Sequence, residues 1–429
     1  LIMKLWSKND NLNKKIEEFT VGDDRYYDLF LAKYDVRASI AHAKMLCYTK
    51  IITASEKNKL IQQLKLINKD IEKGNFKIEE NFEDIHSKLE FLLTHKLGDI
   101  GGKIHTGRSR NDQVLVATQL YLKDEILSIK KLIKRLFDVL INLSEKNKNK
   151  LLPGYTHLQV AMPSSFGLWF SSYAELLIDD ILYLNTAYKI NNQNPLGSAA
   201  GYGTSLNIDR EYTTKELGFK TLKYNVASAQ MSRGRLEKSV AIAIASVAET
   251  IGKLCSDICL YMTNELNFIS LTDEISTGSS IMPHKNNPDI FELVRAKCNH
   301  IKSLSNELNM ITTNLTSGYH RDMQLVKGKI INGIESIKEC IDITSFSIQK
   351  IKIRDGILKS KNYDLIFSVE KLNNLILDNG ISFREAYNEV SKSIKDGSYL
   401  KSKRNKHKLI GGIDNLCLEK IINKMNENF

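Results

Sequence analysis

Three stretches of the chain repeat apolar residues at steps that are mostly three and four, and this pattern constrains the fold more than any other feature. Leu115, Leu122, Ile126, Ile129, Ile133, Leu136, Leu140 and Leu143 form the first. Leu236, Val240, Ile244, Val247, Ile251, Leu254, Ile258 and Tyr261 form the second, and Ile290, Val294, Cys298, Ile301, Leu304, Leu308, Ile311 and Leu315 the third. Such spacing puts each set on one face of an α-helix, and the first set alone spans on the order of 40 Å. Weaker versions occupy 164–190 and 329–353. A near-heptad period predicts long helices packed at small crossing angles, with the stripes as core.

Proline placement agrees, because a proline inside a helix costs about 3 kcal/mol or more. Pro153, Pro163, Pro195, Pro283 and Pro288 all fall in the junctions "LLPGYTHLQVAMP", "NPLGSAAGYGT" and "GSSIMPHKNNP", together with many of the glycines. The expected architecture is all-α: a long-helix scaffold holding polar loops at its ends. A chain of 429 residues exceeds what one core supports. The expected division is a helical domain at 1–104, a central long-helix domain at 105–350 and a small helical domain at 351–429. No alternating β pattern competes, although short hairpins in the loops stay open.

Composition removes several function classes. No apolar run approaches the roughly 18 residues of a membrane helix, and the opening "LIMKLWSKND" lacks an apolar signal core, so the expectation is a cytoplasmic protein without a membrane partner. The six cysteines show no zinc-type spacing and read as reduced core thiols, with no metal expected. The net charge of +11 is spread along the chain rather than gathered on a nucleic-acid module. It favours a small anionic substrate. The densest basic run, "KSKRNKHK" at 401–408, reads as a surface loop rather than an RNA contact.

Four motifs carry candidate chemistry. "GDIGGKIHTGRSRNDQV" (98–114) fails as a phosphate loop, since Leu97 stands where the first glycine belongs and Ile104 follows Lys103. What remains is a basic, amide-rich entry to the first long helix through Thr106, Arg108, Ser109, Arg110 and Asn111. That arrangement suits a carboxylate, and equally a helix cap with exposed charge. "PGYTHLQVAMP" presents Thr156 and His157, where imidazole can exchange protons near neutral pH or serve as a structural residue. "TSGYHRDMQLVKG" (316–328) places Tyr319, His320, Arg321, Gln324 and Lys327 for one side of a helical turn or for a plain polar face. "GSSIMPHKNNP" (278–288) is the strongest, because Pro283 and Pro288 restrict the backbone on both sides of Lys285. A serine hydrolase is disfavoured, since GxSxG is absent and no strand precedes the serine.

"GSSIMPHKNNP" closely resembles the signature loop of the fumarase/aspartase superfamily. With "KIHTGRSRNDQV", "GYTHLQ", "EDIHSKLE" (83–90) and "NPLGSAAGYGTSLNIDR" (194–210), the chain looks most like the argininosuccinate lyase family, from about residue 4 to residue 420. The resemblance implies a three-domain fold and a homotetramer whose central domains form a twenty-helix core, with each active site assembled from three subunits. It implies cleavage of argininosuccinate to arginine and fumarate, without metal or organic cofactor. By matching positions, Ser279 is expected to take the proton from carbon, and His157, with Thr156, to support protonation of the departing guanidinium nitrogen. Lys285 and Asn287 are expected to stabilise the carbanion-like intermediate. Ser109, Arg110 and Asn111 would hold substrate carboxylates, Tyr319, Gln324 and Lys327 the rest of the substrate, and His86 would support the site. His284 and Asn286 stand where the family commonly has glutamine and lysine, which keeps adenylosuccinate as an alternative substrate. An inactive structural relative is the other alternative.

The chemistry makes these roles intelligible. Proton removal beside a carboxylate builds a doubly negative enolate-like group, which fixed cations and donors stabilise. A serine oxygen becomes a usable base only in a closed, water-poor loop that surrounds it with donors. The signature loop is therefore expected to act as a lid, with Gly278 permitting movement and the prolines fixing its shape.

Overall fold

A computed structural model of the protein describes residues 13–429. The opening decapeptide, and the expectation drawn from it, lie outside the described residues. Among these residues there are fifteen α-helices and only three two-stranded sheets. The expectation of an all-α protein holds, and the sheets are confined to connections.

By compactness the chain divides into two units, each built from three stretches. One comprises Leu1–Lys130, Tyr183–Ser246 and His300–Ile337, the other Lys131–Leu182, Val247–Asn299 and Lys338–Phe429. Five long helices, Arg110–Asn147, Phe166–Asn191, Arg235–Tyr261, Asp289–Ile311 and Met323–Ser347, contribute residues to both units. Their apolar stripes are core. In the first unit Leu122, Ile126, Ile244, Leu308 and Ile334 are wholly buried; in the second so are Ile133, Leu136, Leu140, Ile251 and Cys298.

Two sequence expectations require correction here. The third stripe overshoots, because its helix ends at Ile311 and Asn314 turns left-handed (φ 63°) before Leu315. Helix Arg235–Tyr261 is also long and apolar enough to cross a membrane by length and composition, contrary to the expectation that no segment approaches this, but 61% of its apolar window is buried in the fold. Its apolarity comes from Val240, Ile244, Val247, Ile251 and Ile258, all completely buried.

In the first unit, helices Asp24–Tyr48, Ala54–Glu72 and Ile85–Leu97 pack around Leu46, Leu60, Leu64, Ile85 and Leu93. Local signals set their limits. Thr53 and Glu56 form a reciprocal capping box, and Asp84 caps the third helix by accepting from the Ser87 amide at 2.9 Å. Gly101 follows in a short turn whose backbone approaches that of Leu93 so closely that a Cβ would lie 2.3 Å from the Leu93 carbonyl. This contact fixes the path into residues 106–111.

The second unit carries the hairpin formed by strands Leu151–Thr156 and Gln159–Ser165. It also pairs Ile269–Leu271 with Ile351–Ile353 and packs helices Ser368–Asn379 and Phe383–Lys395 around Leu372, Ala386 and Val390. The basic run at 401–408 is tied down by acids: Lys401 to Asp364 at 2.9 Å, Arg404 to Asp414, and His407 to Glu370 at 2.6 Å. Cys255, Cys298 and Cys340 are buried, and all six cysteines are unbridged.

Gly101→Ala should lower stability by about 1–3 kcal/mol through overpacking against rigid backbone. Gly102→Ala, helical and with nothing within 4 Å of its added methyl, should leave the urea midpoint unchanged or raised. Equal midpoints for the two variants would contradict the role given to Gly101.

Candidate active site

The first unit contains a cavity of about 150 Å³ walled by opposite charges. Asp24, Asp28, Glu83 and Asp84 supply four carboxylates, and Arg110, Arg233, Arg321 and Lys327 four cations; Asn111, Val114, Tyr319 and Gln324 complete the wall. Ligand pockets usually run to about 300–1,000 Å³, so this one suits one end of a longer molecule.

Lys327 sits one turn into helix Met323–Ser347 with only 4% of its side chain exposed. Its ammonium donates to Asp28 at 2.5 Å and to Asp24 at 2.9 Å. Burial alone would depress its pKa, but the two carboxylates outweigh it and hold the group above its ordinary value. Gln324, one turn earlier, donates to the carbonyls of Thr20 and Val21, both at 2.9 Å, capping helix Lys14–Val21. Arg321 bonds Thr20 O at 2.8 Å and Glu83 at 2.7 Å. Tyr319 and Arg321 precede the helix, which starts at Met323, so this motif is a turn leading into a helix rather than one helical face.

Arg110 opens helix Arg110–Asn147, its guanidinium bonded to Glu83 at 3.1 Å and to Asp84. Burial would raise the Asp84 pKa, yet the charges of His86 and Arg110 and the Ser87 donors bring it down to about 2. Ser109 receives the Asn111 amide on its hydroxyl at 3.3 Å and donates its own amide to Asp112 at 2.9 Å. Both the helix cap and the charged wall of the sequence reading are present: Arg110 and Asn111 line the cavity, whereas Ser109 does not. Asp112 also accepts the amides of Gly197 and Ala199 at 2.9 and 3.0 Å, which pins the "NPLGSAAG" loop. Burial raises its pKa to about 6 against these donors.

His86 lies beneath this surface rather than on it. It is 2% exposed and does not line the cavity. Its Nδ1 is 2.9 Å from the fully buried Asp35. Burial would lower the imidazole pKa, but Asp35, Asp84 and Asp28 together raise it. The charge of His86 in turn helps keep Asp84 ionised for Arg110.

The second unit holds Thr156, His157, Ser279, Lys285 and Asn287. Thr156 and His157 occupy the exposed tip of the hairpin, one of the short hairpins that the sequence reading had left open. Pairing of Thr156 with Gln159 leaves a two-residue turn in which His157 (φ 53°) and Leu158 (φ 58°) are both left-handed. Asn and Gly normally fill such turns, and bulkier residues there cost about 1–2 kcal/mol each. Strain of this kind persists where position matters more than stability.

The signature loop is closed at its base. Asn287 donates its backbone N–H to Thr277 O at 2.8 Å, and the Thr277 hydroxyl donates to Asp289. The Asn287 side chain reaches Gly278 O at 3.4 Å, so it braces the loop. Inside, the Ser279 oxygen accepts the amides of Met282 at 3.1 Å and Ile281 at 3.3 Å. Lys285 is exposed and makes no ion pair among the described residues. In this conformation Gly278 has no left-handed φ, and an added Cβ would meet nothing closer than 4.0 Å. Rigidity at the base and donors around the oxygen define the loop.

Asp24, Asp28 and Arg321 received no role from the sequence. The available signal was Asp24, Asp28 and Asp35 recurring on helix Asp24–Tyr48 at steps of four and seven, the spacing of its buried face.

Known proteins match over the whole chain. A family model described as "Lyase" covers residues 4–302. The chain is 49% identical to an argininosuccinate lyase of Phocaeicola vulgatus over 427 residues, covering 100% of this chain and 96% of that protein. It is 38% identical to one from Thermotoga neapolitana over 90% of this chain and 97% of the other. Among solved structures, EDDS lyase with formate aligns with a TM-score of 0.78 at 18% identity, covering 97% and 91% of the two chains. The class II fumarase of Schistosoma mansoni aligns at 0.71 and 16% identity, covering 96% and 95%. These structures share the fold. The chain belongs to the argininosuccinate lyase family of the fumarase/aspartase superfamily.

Proposed function

We infer that the chain cleaves argininosuccinate to L-arginine and fumarate in arginine biosynthesis, and that Ser279 is the base. The observation that carries the assignment of the base is the Ser279 oxygen, which already accepts two backbone N–H groups in a loop braced at its foot. Donors of this kind favour the oxyanion over the alcohol.

The alkoxide of Ser279 takes a proton from the succinyl carbon next to a carboxylate. The electron pair moves onto that carboxylate, and Lys285 and Asn287 stabilise the added charge. Collapse of this intermediate forms the carbon–carbon double bond of fumarate and breaks the bond to the guanidinium nitrogen. That nitrogen leaves on arginine with a proton, and His157, positioned with Thr156, supports its delivery. The step is redox-neutral and needs no electron carrier. Arg110 and Asn111, in the cavity wall, hold substrate carboxylates with Ser109 beside them at its edge, and Tyr319, Gln324 and Lys327 hold the remainder. His86 acts from behind, through the acids that fix Arg110 and Lys327.

The working form is a cytoplasmic homotetramer with a twenty-helix core and shared active sites. Supporting it are apolar side chains left exposed on the long helices, including Leu176, Leu182, Ile242, Leu293, Met310 and Leu325. The strained His157 turn, open to solvent in a single copy, also gains from a neighbouring copy. The three regions 1–104, 105–350 and 351–429 serve as entry domain, bundle with signature loop, and small terminal domain.

Purified protein should release fumarate, followed by ultraviolet absorbance, from argininosuccinate and not from adenylosuccinate. The reverse preference would reassign the substrate, and release from neither would leave a scaffold without this activity. Ser279→Ala should reduce kcat by roughly 10²-fold or more, and near-normal turnover in this variant would remove Ser279 as the base.

A further inference from the structure

Helices Asp24–Tyr48 and Ala54–Glu72 pack against each other in the first unit, and with Asp124 of helix Arg110–Asn147 they line a cleft of about 600 Å³. It shares no lining residue with the active-site cavity. Its size falls within the roughly 300–1,000 Å³ usual for small-molecule sites.

Four cations line it: Lys33 and Arg37 four residues apart on one helix, Lys65 and Lys69 four apart on the other. Like charges at this spacing destabilise a helix unless something neutralises them. None of the four has an ion pair among the described residues, and two of the three acids in the wall are engaged elsewhere. Glu216 pairs with Lys44, and Glu72 accepts from Asn68 at 2.7 Å. The basic run at 401–408, by contrast, is met by Asp364, Asp414 and Glu370. Arg37 is held in the cleft by donating to the Leu217 carbonyl at 2.9 Å.

The third acid, Asp124, acts on Tyr34. Tyr34 lines the cleft at 2% exposure, and its hydroxyl meets no partner within hydrogen-bond geometry. Burial, followed by the charge of Asp124, raises the pKa of that hydroxyl, so it stays a donor. A phenol that donates and a carboxylate that only accepts are satisfied together by an alcohol group, which accepts from the first and donates to the second. Ile40 and Leu217 give the cleft an apolar side. A phosphate monoester carries about −1.5 to −2 charges at pH 7, so four cations match two such groups better than they match single carboxylates.

We propose that this cleft binds an organic phosphate with free hydroxyl groups, the chemistry shared by sugar bisphosphates and nucleotides. Lys33, Arg37, Lys65 and Lys69 take the phosphates, and Asp124 with Tyr34 takes a hydroxyl. The site lies apart from the lyase chemistry, and the proposal stands whether or not argininosuccinate is the substrate.

The test is calorimetric titration of the full chain, without magnesium, with fructose 1,6-bisphosphate, ATP and inorganic tripolyphosphate. Wild type should bind one of the two organic phosphates with a Kd below about 1 mM, and the tighter one identifies the source. Binding should weaken as salt rises from about 50 to 200 mM. Lys33→Gln/Lys69→Gln should weaken it roughly tenfold or more, and Lys65→Gln should act in the same direction. Asp124→Ala should weaken the organic phosphate but leave tripolyphosphate unchanged or tighter, because it removes a hydroxyl acceptor and a negative charge together. All four positions are exposed, so melting temperatures should not shift. Binding of neither organic phosphate, unchanged affinity in both lysine variants, or an equal response of organic phosphate and tripolyphosphate to Asp124→Ala would overturn the proposal. Displacement by L-arginine with fumarate would put the phosphate in the active site instead and overturn it as well.

Discussion

A lysine ammonium with almost no solvent must be neutralised where it stands, and Lys327 is neutralised by Asp24 and Asp28. Taking such charges out of water costs several kcal/mol per ion, about what a well-placed pair recovers, so the cluster adds little net stability. Its consequence is geometric. Removing Lys327 would leave two carboxylates uncompensated, and the three side chains hold helix Asp24–Tyr48 in place against helix Met323–Ser347. Arg110 with Glu83 and Asp84, and Arg321 with Glu83, extend the same constraint around the cavity. The wall is set before any ligand arrives, which is the condition for electrostatic selection.

The long helices explain why chemistry sits where it does. Their apolar faces are consumed by packing, as Leu136, Ile251 and Ile334 illustrate at 0% exposure. Polar groups on those faces would be left without partners. The candidate site residues are consequently found at helix starts, as with Arg110 and Asn111, or on connections, as with His157 and Ser279. Lys327 and Asp28 are the exceptions, and each is tolerated within a helix because the other is opposite it.

The helices were legible because a period of three and four survives in a single chain without reference to its neighbours. Their ends were less so: Leu315 continues the spacing by chance beyond the stop at Ile311, since nothing in periodicity registers the left-handed turn at Asn314. The hairpin at 151–165 was hidden for a different reason. Pro153 faces Pro163 across it, and a register shift between Pro153 and Tyr155 disrupts the alternation that would announce a strand. Among the site residues, Arg110, Asn111, Tyr319, Gln324 and Lys327 were named from motifs and do meet around one cavity. His86 was named from its motif as well, but its burial against Asp35 is a long-range fact.

What the sequence determined by itself was the family, the helical scaffold and the chemical types in each loop. These are carried by local order along the chain: the spacing of apolar residues, the placement of prolines, and contiguous motifs such as "GSSIMPHKNNP". Only the tertiary structure decided that Asp24 and Asp28 share Lys327, that His86 lies beneath the surface against Asp35, and that two amides converge on Ser279. Pairing of charges 299 and 303 residues apart depends on which groups burial brings together, and the energy of such a pair depends on water that packing has removed.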